Sequence, residues 1–262
     1  MFAEVLSDRG QGRTVVYLPG IDGSGQLLLG TAARLEERFR LVRLRYRLSS
    51  NPVNRSYSHL AASVVETVSL RGVDRMLLLA ESFGGAVAIR AALDFPDAVA
   101  GVALVNAFPY FRWRVRLALS RVGTRLTPAW AMSLGRRLVA PALLFGGPGE
   151  QAAIAEFLNG PGPAAARQPA AQWTLSEGYP ARLVMIRALD LRPELGRVRQ
   201  PVALFASTRD RIVDSVRQAR EMASLLPDAE LVVLDGRGHV VLPLADIDWP
   251  GHLERLAARA AV

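Results

Sequence analysis

The 262-residue chain contains no cysteine. Disulfides, thiolate metal sites and thiol nucleophiles are therefore excluded, while the redox compartment stays open. It contains no lysine either, so its net charge of +8 is carried entirely by arginine. GC-rich coding gives such a composition without any functional cause. An anionic partner is the functional alternative. Nowhere does an apolar run reach about 18 residues, so no membrane span is expected. The start Met1-Phe2-Ala3-Glu4-Val5 lacks the basic segment and apolar stretch of a secretory leader. The resulting expectation is a soluble cytoplasmic protein. No internal repeat and no nucleic-acid-binding module is recognisable, so nucleic acid is not an expected partner despite the charge.

Half of the residues are apolar, ample for one large α/β domain. Thr14–Leu18 reads as a strand and ends in the turn-rich Pro19-Gly20-Ile21-Asp22-Gly23-Ser24-Gly25. A helix is expected from about Gln26 to Arg38, a strand over Leu41–Tyr46 and a helix over Tyr57–Leu70. Met76-Leu77-Leu78-Leu79-Ala80 is wholly apolar, as suits a central strand covered on both faces. It passes directly into Glu81-Ser82-Phe83-Gly84-Gly85 and a helix, and Val99–Val105 is a further strand. The alternation stops after Asn106. From about Phe108 to Asp190 the pattern is helical, broken by Pro and Gly. Strand, helix, strand and helix then resume at Pro201, Ser215, Glu230 and about Asp246. The expected architecture is a mostly parallel sheet with helices on both faces. Residues 1–107 and 191–262 form its core, and 108–190 a helical cap insertion.

The chemistry centres on Ala80-Glu81-Ser82-Phe83-Gly84. A nucleophile on a sharp strand-to-helix turn needs small residues two positions before and after it, because backbone and helix crowd together there. A serine hydroxyl also needs a base within hydrogen-bond reach, and the base needs an orienting acid. Of the three histidines, His239 lies on a glycine-flanked loop after a late strand. His59 and His252 fall in helices, where a surface or packing role suffices. Asp210 follows the strand that starts near Pro201, at a strand end suited to the acid. Asp214 competes, but its position suits the N-cap of the next helix, accepting backbone N–H bonds. Developing negative charge on a carbonyl oxygen calls for preorganised N–H donors. The backbone N–H groups of Phe83 and, from the Pro19–Gly25 loop, Ile21 are the candidates.

At these residues the chain resembles the α/β-hydrolase superfamily, over nearly its full length. Leu18-Pro19-Gly20-Ile21-Asp22-Gly23-Ser24-Gly25, Glu81-Ser82-Phe83-Gly84-Gly85, Asp210-Arg211-Ile212-Val213 and Gly238-His239 carry the resemblance. It implies the α/β-hydrolase fold, Ser82 as nucleophile, Asp210 as acid, His239 as base, oxyanion donors at Ile21 and Phe83, a helical cap, and no cofactor or metal. The first two strings look like a branch of esterases and plant ester synthases. The expected activity is cleavage of a small-molecule, lipophilic acyl ester. An acyltransferase using the same residues is the alternative, and a non-catalytic binding protein on a hydrolase scaffold is the alternative of another class.

The cap segment Phe108–Gly149 carries Arg112, Arg114, Arg116, Arg121, Arg125, Arg136 and Arg137 and no Asp or Glu. Packing on the core with solvated arginines is the favoured reading. An anionic membrane surface or an acidic substrate is the sharper one. Trp113, Trp130, Phe145 and Trp173 are candidates to line an acyl pocket, with packing in the cap or core as the alternative for each.

Overall fold

The computed structural model describes residues 2–47, 56–112, 143–152 and 178–260. Its seven-stranded sheet runs in the order β1-β3-β2-β4-β5-β6-β7. The strands are β1 (Ala3–Arg9), β2 (Thr14–Leu18), β3 (Arg40–Tyr46), β4 (Met76–Glu81), β5 (Val99–Val105), β6 (Val202–Ser207) and β7 (Ala229–Leu234). β1 is antiparallel to β3, and every other pairing is parallel. The described helices are α1 (Gly30–Glu36), α2 (Tyr57–Ser69), α3 (Phe83–Asp94), α4 (Tyr179–Ala188), α5 (Ser215–Leu225) and α6 (Trp249–Arg259). This is the α/β-hydrolase fold, with a mostly parallel sheet between two helical layers.

Strand alternation explains the two layers. In β2 and β4, Val16, Leu18, Leu78 and Ala80 face a core shared with α2, α3, α4 and α5, through Leu60, Val64, Phe83, Val87, Met185 and Met222. Val15, Tyr17, Leu77 and Leu79 face the opposite core, closed by α1 and α6 through Leu35, Trp249, Leu253 and Leu256. β4 is buried at every position, which is why its sequence is an unbroken apolar run up to Glu81. Among the described residues no helix is long and apolar enough to cross a membrane.

Three local expectations are corrected. β1 has no counterpart in the strand pattern read from sequence. It is an edge strand with charges along it, and its pairing comes from β3, where Glu4 meets Arg45 in an ion pair of 2.9 Å and Asp8 meets Arg40 at 2.8 Å. The helix expected from Gln26 starts only at Gly30, because Leu29 adopts φ 45° and interrupts the approach. The last helix starts at Trp249 rather than near Asp246, with the Asp248 side chain capping the N–H of Gly251 and Pro250 in its first turn.

The two ends of the 108–190 segment lie together. Tyr110 and Asp190 form an isolated antiparallel bridge, and the Leu191 N–H donates to Pro109 O at 2.9 Å. The chain therefore leaves and re-enters the sheet at one place, beside the carboxyl end of β5.

Candidate active site

In the parallel part of this sheet, the strands deliver their carboxyl ends to one edge, where ligand sites of open α/β sheets form. Ser82 follows β4 there, with φ 50° and ψ −117°. A non-glycine residue rarely adopts that backbone. The turn projects the hydroxyl off the sheet and starts α3 at the next residue. The space is tight: a Cβ at Gly84 would stand 2.6 Å from the carbonyl oxygens of both Leu18 and Pro19. Only glycine at that position lets the loop after β2 rest against the serine turn.

His239, from the loop after β7, places Nε2 3.0 Å from Ser82 Oγ. Its Nδ1 lies 2.7 Å from Asp210 Oδ2, on the loop after β6. The other carboxylate oxygen of Asp210 accepts from the N–H groups of Ile212 and Val213 at 2.8 and 2.9 Å, and Oδ2 also accepts from the Ser215 hydroxyl. Burial pushes the Asp210 carboxyl up, but His239, Ser215 and the Val213 N–H outweigh it and hold the pKa below 3.8. An ionised carboxylate only accepts, so Nδ1 carries the ring hydrogen and Nε2 is left to accept from the serine hydroxyl. For His239, burial disfavours the charged ring, while Asp210, through charge and hydrogen bond, more than offsets this and sets the pKa above 6.5.

Three residues that sequence reasoning passed over support this arrangement. Asn106, just after β5 and at φ 47°, donates from Nδ2 to the carbonyls of His239 (2.8 Å) and Gly238 (3.2 Å) and to Ser207 Oγ (2.9 Å). Its Oδ1 accepts the Ser207 N–H at 2.9 Å. Glu81, beside the serine, is buried and accepts from the Tyr17 hydroxyl at 2.7 Å and the Gly20 N–H at 3.4 Å. Burial and the neighbouring Asp22 raise its pKa to about 7. Glu150 accepts through Oε2 from the N–H groups of Gly146 (2.6 Å) and Gly238 (3.2 Å), tying the 143–152 segment to the His239 loop. Asn106 carried one sequence signal, a polar residue directly after an apolar central strand.

The other sequence candidates fall as follows. Ile21 sits in the loop after β2, packed against the core, and Phe83 is the first residue of α3. Asp214 occupies the N-cap of α5 but makes no cap bond with its side chain; the carboxylate pairs with Arg217 at 2.8 Å instead. His59 is exposed near the start of α2 beside Ser56, and His252 stacks edge-on against Phe205 on α6. Phe145 is buried in the core layer that contains Phe205 and Val240. Trp113, Trp130 and Trp173 lie outside the described residues, as do the arginines 114–137.

Residues 14–246 match the family model for the alpha/beta hydrolase fold. The chain belongs to this family. Among curated proteins, the Escherichia coli O6:H1 (strain CFT073) protein named "Putative carbamate hydrolase RutD" is 26% identical over 237 residues, covering 86% of this chain and 81% of its own. The Rhizobium rhizogenes protein of the same name is 24% identical, covering 89% and 88%. Among solved structures, the enol-lactonase of Burkholderia xenovorans LB400 superposes with a TM-score of 0.77 at 19% identity, covering 99% of this chain and 96% of the other. The esterase RhEst1 from Rhodococcus sp. ECU1013 gives 0.71 at 22% identity, covering 98% of each. As a member of the alpha/beta hydrolase family, the protein is a hydrolase enzyme whose substrate is a small molecule.

Proposed function

We propose that this alpha/beta hydrolase cleaves a carboxylic ester through an acyl-enzyme formed on Ser82. The observation that carries the reading is the unbroken hydrogen-bond series from Ser82 Oγ through His239 to Asp210, mounted on a serine with φ 50°. Attack of Oγ on the ester carbonyl carbon passes the hydroxyl proton to His239 Nε2. The imidazolium then returns that proton to the departing alcohol oxygen as the C–O bond breaks. Water repeats the sequence on the acyl-serine, releasing the acid and restoring the hydroxyl. Asp210 keeps the ring in the required tautomer. The N–H groups of Ile21 and Phe83 receive the charge that builds on the carbonyl oxygen.

In the same reading the 108–190 insertion supplies the cap over this site, with its described parts Phe145 and α4 anchored in the core layers on the sheet. Trp113, Trp130 and Trp173, which lie outside the described residues, are the proposed lining of a lipophilic acyl pocket. The name shared by the curated relatives favours a second reading, in which the scissile group is a carbamate. Its carbonyl would meet the same nucleophile, so the distinction lies in the pocket.

The test is a chain-length series of acyl esters, with a carbamate of the same alcohol, assayed on wild type and Ser82→Ala. Ester turnover with a chain-length optimum, lost by about 10⁴-fold or more in the variant, is expected. Turnover by Ser82→Ala equal to wild type refutes the nucleophile. Carbamate turnover far above that of every ester replaces the first reading with the second.

A further inference from the structure

Arg182 lies on α4, where the 108–190 segment returns to the sheet, and its side chain is fully buried. A buried guanidinium is tolerated only where its donors are used and its charge is compensated. Two of its nitrogens bond the loop after β2: Nε donates to the Ile21 carbonyl at 2.6 Å and Nη2 to the Asp22 carbonyl at 3.1 Å. Arg182 also acts electrostatically on the buried Tyr46 hydroxyl, whose pKa burial raises and Arg182 lowers. The fit is close. A Cβ at Gly23 would stand 2.8 Å from Nη1 of Arg182, at a residue whose φ of +66° already favours glycine.

The two carbonyls held by Arg182 complete a set. The Gly20 carbonyl accepts from the Gly23 N–H at 3.1 Å, and the Gly23 carbonyl from the Tyr46 N–H at 2.8 Å. All four consecutive carbonyls of residues 20–23 are thus fixed. A peptide unit is planar and trans, so its C=O and N–H point in opposite directions. Turning the Gly20 carbonyl into the turn aims the N–H of Ile21 out of it. A turn containing Gly20 and Gly23 has little steric barrier to peptide rotation. The planar fork of Arg182, which spans two successive carbonyls, supplies the missing restraint.

We propose that Arg182 is a positioning residue: it locks the Gly20–Gly23 turn in the orientation that presents the Ile21 N–H to the developing oxyanion. The inference rests on the proposed acyl transfer at Ser82, and it adds a part of the 108–190 segment to the machinery of that step. Arg182 does not touch the reacting atoms. Its effect falls on the transition state and leaves substrate binding alone.

The experiment compares wild type, Arg182→Met and Arg182→Lys in three measurements. Steady-state ester kinetics and inhibition by a trifluoromethyl ketone, which forms a hemiketal oxyanion on an active-site serine, report the oxyanion site. Hydrogen exchange at residues 20–23 reports the turn without any need for activity. Arg182→Met is expected to lose about 10²- to 10³-fold in kcat, the scale of one oxyanion donor, with KM changed less than about 3-fold. Ketone affinity should fall in parallel with kcat/KM, exchange at residues 20–23 should accelerate, and Arg182→Lys should recover part of each loss. Unchanged exchange with wild-type kcat overturns the inference. So does a kcat loss that leaves ketone affinity intact, or a rise in KM alone. If Arg182→Met does not fold, Arg182→Lys decides, because it keeps the charge but cannot span two carbonyls as a planar fork; wild-type kinetics and exchange in that variant overturn the inference. Absence of ester turnover and ketone binding in the wild type would instead defeat the acyl-transfer reading, and exchange would still judge the clamp.

Discussion

Replacing Asn106 should both destabilise the protein and displace its histidine. The side-chain amide shares its two N–H donors among His239 O, Gly238 O and Ser207 Oγ, and its oxygen accepts from Ser207 N. Asn106 is almost fully buried, so water cannot replace them. At about 1 kcal/mol net for each of two donors and one acceptor, their loss amounts to about 3 kcal/mol. Asn106→Gly isolates this loss, because glycine accepts the φ of 47°. Asn106→Ala adds a left-handed backbone penalty of about 1 kcal/mol. Urea unfolding should therefore show a loss of about 3 kcal/mol for Asn106→Gly and about 1 more for Asn106→Ala. The carbonyl of His239 itself is one of the anchored groups, so the ring should lose its register with Ser82 and kcat should fall by about 10²-fold. Stability within 1 kcal/mol of wild type for both variants, with unchanged kcat, would refute the role given to Asn106.

Two predictions concern pH. His239 has its pKa raised above 6.5, and only its neutral ring accepts the serine proton, so kcat/KM should climb with unit slope up to an inflection above pH 6.5 and then level off. A pH–rate profile that is highest below pH 6 would contradict it. Glu81 has its pKa raised from 4.5 to about 7, so the native state keeps a proton that the unfolded chain releases. The stability this provides is complete below pH 4.5 and is lost as pH rises through 7. At about 1.4 kcal/mol per pH unit the loss reaches about 3 kcal/mol. Glu81→Gln keeps an acceptor for Tyr17 and Gly20, so it should flatten this dependence and leave the variant more stable than wild type at pH 8. Parallel stability-against-pH curves for the two proteins would rule out the buried protonated carboxyl.

The parts of the molecule legible in sequence are those whose cause is local. β4 reads as a buried strand because both of its faces are covered, and the small residues around Ser82 mark the turn because backbone crowding at Gly84 demands them. Asp210 stands out from Asp214 by its place after β6, and the structure puts the first carboxylate on His239 and the second on Arg217. β1 was not legible, since an edge strand carrying Glu4, Asp8 and Arg9 takes its identity from β3. The supports of the site were not legible for a similar reason. Asn106 acts on residues more than 100 positions away, and Arg182 on carbonyls 160 and 161 positions away. No window of sequence contains both partners.

The most direct test of the account is to catch the covalent intermediate. Rapid acid quench of wild type during turnover of an activated acyl ester, followed by peptide mass spectrometry, should find the acyl mass on the peptide containing Ser82 and nowhere else. The adduct should be absent in Ser82→Ala and form far more slowly in His239→Ala. An acyl group found on another residue, or turnover without any adduct while Ser82→Ala remains fully active, would contradict the claim that this serine carries the reaction.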